Sequence, residues 1–133
     1  MERWAGALVG FVVTLAAAGR VWTAAAPTVV QAEGLTISLA VTPSPPARHE
    51  GTAFEITIRN AAGDAETGAR VSLDLSMPAH HAMPENRPRV QERGGGRYGA
   101  AGAFSMGGEW RAAVEVFLAD GRRARAEFPL RVR

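Results

Sequence analysis

Residues 77–86 of the chain, MPAHHAMPEN, bring together side chains that bind soft metal ions. The stretch contains two methionines, two histidines and two prolines, whereas the whole chain contains no cysteine. Thioether sulfur is a soft, neutral ligand that suits Cu(I), and imidazole accepts Cu(I), Cu(II) and Zn(II). The segment is therefore either a metal-binding loop or a proline-stiffened turn, and the choice depends on the elements that position it.

Alternating apolar and polar residues predict that the chain after residue 33 is made of strands. Leu35, Ile37 and Leu39, for example, alternate with polar or small residues, a period that is typical of half-buried strands. No segment of this region has helical periodicity. Short strands separated by Gly- and Pro-containing turns predict a seven-stranded antiparallel immunoglobulin-like sandwich, with Trp110 at its centre. The seven strands are predicted near residues 35–42, 54–59, 71–77, 89–93, 97–103, 110–118 and 124–132.

Chain reversal between these strands places every second connection at the same end of the sandwich. One end then receives residues 43–51 with His49, residues 76–87, and residues 104–108 with Met106. All three histidines and three of the four methionines are expected to gather there. This asymmetry predicts a metal site built from Met77, His80, His81, Met83 and Met106, with Cu(I) as the favoured ion.

Structural roles compete with metal binding at each of these residues. Met77 continues the inward alternation of its strand, and Met106 lies in a turn where it could cap the sandwich. His80 and His81 point in opposite directions on an extended chain, so at most one of them is expected to be a ligand. His49 is expected to be solvent-exposed in a proline-rich loop. Zinc bound by the three histidines is an alternative, but it leaves the surrounding sulfur unexplained.

The amino-terminal segment predicts export from the cytoplasm. Arg3 precedes a sixteen-residue apolar run, Trp4–Gly19, and Arg20 follows it. Such a run is typical of a signal peptide or a short membrane anchor, and cleavage is predicted after Ala26 or after Ala32. Residues 1–32 are therefore interpreted as a targeting helix that contacts the membrane, with a short linker. Residues 33–133 are interpreted as one domain on the periplasmic or extracellular face.

Charge balance and residue context argue against two classes of function, nucleic-acid binding and catalysis. The chain has 15 basic and 13 acidic residues, a balance that does not favour nucleic-acid binding. The carboxylates of Glu55, Asp74 and Glu115 alternate outward as a solvated face, and no serine has the context of a nucleophile elbow. A non-enzymatic protein is therefore expected.

Several short motifs in order resemble the YtkA-like domain family, which is related in pattern to FixH-type extracytoplasmic proteins. They are Met77-Pro78 with His80 or His81, Met83-Pro84, the GRY stretch at 96–98 and the FSMGGEW stretch at 104–110. The resemblance covers about residues 35–133. It implies a small extracytoplasmic immunoglobulin-like domain behind a signal or anchor helix, with copper association in some relatives.

Two functions are compatible with these observations. The first is a copper-binding accessory domain that uses the methionine and histidine cluster. The second is a metal-free interaction module that docks a membrane-protein partner through the same end of the sandwich, where methionine side chains supply adaptable packing.

Overall fold

The computed structural model describes residues 27–80 and 82–133. The predicted targeting helix before residue 27 and His81 lie outside these described residues. The described part contains eight strands and no helix, so no helix in it is long and apolar enough to cross a membrane. The strands are β1 (Thr28–Ala32), β2 (Leu35–Thr42), β3 (Thr52–Arg59), β4 (Arg70–Ser76), β5 (Gln91–Gly94), β6 (Arg97–Gly102), β7 (Gly108–Phe117) and β8 (Arg123–Val132).

The strands form two antiparallel sheets packed face to face. One sheet has five strands in the order β1-β2-β3-β6-β5, and the other has three in the order β4-β7-β8. The predicted all-β sandwich is thus confirmed, but the prediction of seven strands was wrong by one. The additional strand, β1, lies within residues 1–32, which were predicted to be a targeting helix and linker and not part of the sandwich. Its exposed Val29 breaks a clean alternation, so the sequence pattern did not indicate a strand there.

The core lies between the sheets and is built by the alternation that the sequence displays. Trp110 is only 2% exposed, and its indole packs edge-on against Phe104 with ring centroids 4.9 Å apart. Phe54 also packs edge-on with Phe104, with ring centroids 6.0 Å apart. Aromatic pairs in such arrangements add to the hydrophobic stabilisation. The prediction that Trp110 is a core residue is confirmed.

Strand direction alternates along the chain, so three connections meet at one end of the sandwich, called the site end below. They are the β2–β3 connection (residues 43–51), the β4–β5 connection (residues 77–90) and the β6–β7 connection (residues 103–107). The His49 amide donates a hydrogen bond to the Phe104 carbonyl at 2.8 Å, and the Asn86 amide nitrogen donates to the Ala103 carbonyl at 3.0 Å. The predicted convergence of these connections is confirmed.

Candidate metal site at one end of the sandwich

The β4–β5 connection starts with a tight turn that follows directly from β4. Met77 is 6% exposed and continues the inward face of the strand, as its alternation predicts. Pro78 cannot donate a hydrogen bond and ends the strand. The His80 amide then donates to the Met77 carbonyl at 3.0 Å, which closes the turn and leaves the His80 side chain exposed.

The far end of the same connection is fixed by Asn86. Its carbonyl accepts a hydrogen bond from the Leu75 amide at 2.9 Å, so the connection folds back along the edge of β4. Its side chain donates to Ala103 in the β6–β7 connection. Asn86 therefore holds Met83 between two attached ends. The sequence does not predict this role of Asn86, because a side-chain bond to a carbonyl seventeen positions away leaves no local pattern.

Met77, His80 and Met83 line one open depression of about 400 Å³, called the His80 depression. Met77 forms its apolar floor, and Met83 is half-buried against the core. The charged residues Asp74, Glu85 and Arg111 also line it. The structure thus brings together two of the predicted thioethers and one predicted imidazole.

A second depression of about 380 Å³, called the His49 depression, lies between the β4–β5 connection and the other two connections. His49 and Met83 line it together with Pro84, Ala103 and Phe104. Met83 therefore borders both depressions. His49 is exposed, as expected. It lines the His49 depression together with Met83, and His80 lines the His80 depression together with the same methionine.

Met106 lies at the site end but lines neither depression. Its side chain is 41% exposed, and its carbonyl accepts the Trp110 indole N–H at 3.0 Å. The backbone of Met106 thus satisfies the one polar atom of the central tryptophan. Its role as a metal ligand stays a prediction, as does that of His81.

The carboxylates near the site are engaged with arginine. Arg87 approaches Asp74 and Glu85, at 3.5 Å in each case, and all three side chains are well exposed. Among residues 27–80 and 82–133, no three His, Cys, Asp or Glu side chains form a group that could hold a metal ion.

Gly108 makes room for Met77 where β7 begins. A Cβ atom at Gly108 would lie 3.1 Å from Met77 Cε, and Gly108 has a φ of +126°. Only glycine adopts such a backbone conformation easily. The FSMGGEW stretch therefore supports Met77, a lining residue of the His80 depression, through Gly108, while its methionine does not line that depression.

Several solved structures share the fold at low sequence identity. The PmoD soluble domain from Methylocystis sp. superposes with a TM-score of 0.55 and 16% identity, covering 79% of this chain and 96% of that one. A DUF4426 family protein from Pseudomonas aeruginosa gives a TM-score of 0.57 and 13% identity over 79% and 93%. A DUF4785 family protein from Legionella pneumophila gives 0.59 and 9%, covering 75% of this chain and 29% of that longer protein. At these identities the likeness shows the fold alone.

Sequence comparison identifies the family. No curated protein matches the chain. The profile of the YtkA-like family matches residues 30–115, a range that runs from β1 into β7 and includes the whole β4–β5 connection. Because this match covers more than half of the chain, the protein belongs to the YtkA-like family.

Proposed function

We propose that this domain binds Cu(I) at the site end, as a non-enzymatic accessory domain on the outer side of the cytoplasmic membrane. The observation that carries the proposal is the shared lining of the His80 depression by Met77, His80 and Met83. Two soft sulfurs and one imidazole match the ligand preference of Cu(I) better than that of any other common biological cation. The chain's lack of cysteine leaves methionine as its source of soft ligands.

The donor set also fits a site that is partly prepared before the metal binds. Met77 is held in the core, and the β4–β5 connection is tied down at His80 and Asn86. Fixing ligands in advance lowers the conformational entropy that is lost when the metal binds. Export to an oxidising compartment, predicted from residues 1–32, would favour thioether ligands, which do not form disulfides.

Titration of the purified full-length protein with Cu(I), in competition with a chromogenic chelator, tests this proposal. Met83→Ala should weaken binding by at least about tenfold, a loss typical of a damaged metal site. Met106→Ala is the matched control, because it removes a methionine from the same end but from neither depression. We expect this variant to bind nearly as the wild type does.

Met77→Leu separates the two roles of the buried methionine. Leucine fills a similar volume, so the free energy of unfolding should fall by less than about 1.5 kcal/mol. Copper affinity should nevertheless decrease, since the floor of the depression loses its sulfur. Failure of the wild-type protein to compete for Cu(I), or equal losses in Met83→Ala and Met106→Ala, would contradict the proposed site.

A second candidate function has one observation in its favour. Met106 and Val29 are the large hydrophobic side chains that the described residues leave exposed, and Met106 lies at the site end. An exposed, flexible methionine suits adaptable packing against a protein partner. Under this alternative, Met106→Ala would impair association with a membrane-protein partner in the presence of a copper chelator. Met83→Ala would not weaken this association more than Met106→Ala does.

A further inference from the structure

We propose that His49 is an additional ligand of the same metal, so that metal binding joins the β2–β3 connection to the β4–β5 connection. This inference rests on the proposed Cu(I) function and extends it to a residue from a separate part of the chain. Its basis is the His49 depression, in which His49 and Met83 face a common space.

The backbone at His49 is held in an uncommon conformation by hydrogen bonds to other parts of the chain. His49 has a φ of 65°, a left-handed conformation that few residues other than glycine adopt, although histidine, asparagine and aspartate do so more often than most. Its amide is bonded to Phe104, and the neighbouring Arg48 amide donates to the Arg133 carbonyl at 2.9 Å. A non-glycine residue kept in this region by surrounding contacts is a reason to look for function.

The walls of the His49 depression are suited to a soft ion. Pro84, Ala103 and Phe104 make much of the surface apolar. The amide nitrogen of Asn86, another lining residue, is already engaged with Ala103. The other lining residues with donor atoms are His49, Met83, Glu85 and Ser105, and the Glu85 carboxylate lies 3.5 Å from Arg87. The His49 imidazole and the Met83 thioether are a pair that Cu(I) accepts.

Met83 connects this space to the His80 depression. A methionine side chain has three rotatable bonds and is the most adaptable of the apolar side chains. Because Met83 borders both spaces, one thioether can be shared by a metal that takes His80 from its own connection and His49 from the neighbouring one. His49 thereby provides a long-range ligand that sequence spacing alone does not reveal.

The test uses the full-length protein with Cu(I) as the probe and three variants. His49→Asn removes the imidazole but keeps a residue that tolerates a positive φ. His80→Asn removes the imidazole that the proposed function already assigns to the site, and it sets the scale for the loss of one imidazole ligand. We expect His49→Asn to weaken Cu(I) binding by at least about tenfold. His49→Gly, which relieves the backbone constraint entirely, should lose affinity to the same degree while unfolding at a similar denaturant concentration.

Nuclear magnetic resonance supplies a second measurement. The chain has three histidines, so its imidazole ring C–H signals are few, and the His49 signal is assigned by its loss in His49→Asn. Added Cu(I) should shift this signal together with the methyl signal of Met83.

The outcomes separate the inference from the function on which it rests. If the wild-type protein binds no Cu(I), both are overturned. If the wild type binds Cu(I) while both His49 variants bind equally well and the His49 signal stays in place, the role of His49 is overturned and the site at His80 and Met83 stands. If His49→Asn fails to fold, the His49→Gly titration and the wild-type spectrum decide the question.

Discussion

At the scale of single residues, one side chain can both fill the core and form hydrogen bonds with buried backbone groups. Trp110 fills the centre of the core while its indole N–H is bonded to the Met106 carbonyl. Tyr98 does the same at the other end of the sandwich. It is 1% exposed, its hydroxyl donates to the Glu66 carbonyl at 2.9 Å, and it accepts the Ala69 amide at 3.2 Å. A buried hydroxyl with both partners rigidifies the β3–β4 connection that it holds.

The Tyr98 hydroxyl gives a prediction about alkaline pH. Burial raises the pKa of Tyr98 above its ordinary value of 10.0, with smaller contributions from nearby Glu92 and Glu66 and an opposing one from the Ala69 amide. Because the folded-state pKa is the higher one, the stability from this residue is complete below pH 10.0 and is lost as pH rises through the folded-state value. Tyr98 is the only tyrosine, so the ultraviolet absorbance of tyrosinate reports its titration directly.

Tyr98→Phe provides the comparison. The variant should be less stable at neutral pH by about 1–3 kcal/mol, because Ala69 and Glu66 each lose a partner. It should also lose the extra decline in stability above pH 10.0. The chain contains neither lysine nor cysteine, and arginine stays charged in this range, so few other groups contribute. A wild-type absorbance titration centred at or below the ordinary value would contradict this prediction.

At the scale of elements, the connections decide where functional groups lie. The β4–β5 connection carries four of the five residues of the predicted site, and its two attached ends place Met83 between the depressions. The β5–β6 turn at the opposite end is also hydrogen-bonded to a neighbouring strand. The Ile58 amide donates to the Gly96 carbonyl at 2.9 Å, which docks the turn on the end of β3.

This turn contains two adjacent glycines that respond differently to an added methyl group. Gly95 and Gly96 both have positive φ, at +66° and +79°. A Cβ at Gly96 would lie 2.8 Å from the Ile58 carbonyl oxygen, whereas a Cβ at Gly95 would meet open space. Gly95→Ala should therefore cost about 1–2 kcal/mol from backbone conformation alone.

Gly96→Ala should cost at least about 1 kcal/mol more than Gly95→Ala, because the clash with backbone adds to the same conformational strain. Denaturation in urea measures the difference through the midpoint at unchanged slope. Equal midpoints for the two variants would contradict this prediction, because they would show that the turn moves away from β3 without loss of stability.

At the scale of the whole molecule, β1 links the two sheets. It pairs with β2 over five residues, from Thr28 opposite Leu39 to Ala32 opposite Leu35, and it also contacts β8 of the other sheet. The predicted cleavage positions differ in what they leave behind. Cleavage after Ala26 retains β1, whereas cleavage after Ala32 removes it and exposes the edge of β2.

A chain that begins at Glu33 should be less stable than one that begins at Pro27. Net stabilisation of about 0.5–1.5 kcal/mol per hydrogen bond, over the bonds that a five-residue strand makes, gives a loss of roughly 2–5 kcal/mol. Denaturation of the two chains measures it. Val29→Ala in the longer chain is the control, since this exposed side chain should contribute no more than about 0.5 kcal/mol. Equal stability of the two chains would show that β1 is dispensable.

The sequence by itself determined the sandwich, the alternation that buries Trp110 and Met77, and the end of the sandwich at which His49, His80, Met83 and Met106 lie. These features follow from the two-residue period of the strands and from chain reversal at each turn. Both are encoded by residues that are close together in the sequence. Only the tertiary structure decided that β1 belongs to the sheet, that Asn86 fixes the β4–β5 connection, and that Met83 lines one depression with His80 and another with His49. Such choices depend on bonds and packing between residues far apart in the chain, and a period of two residues carries no information about them.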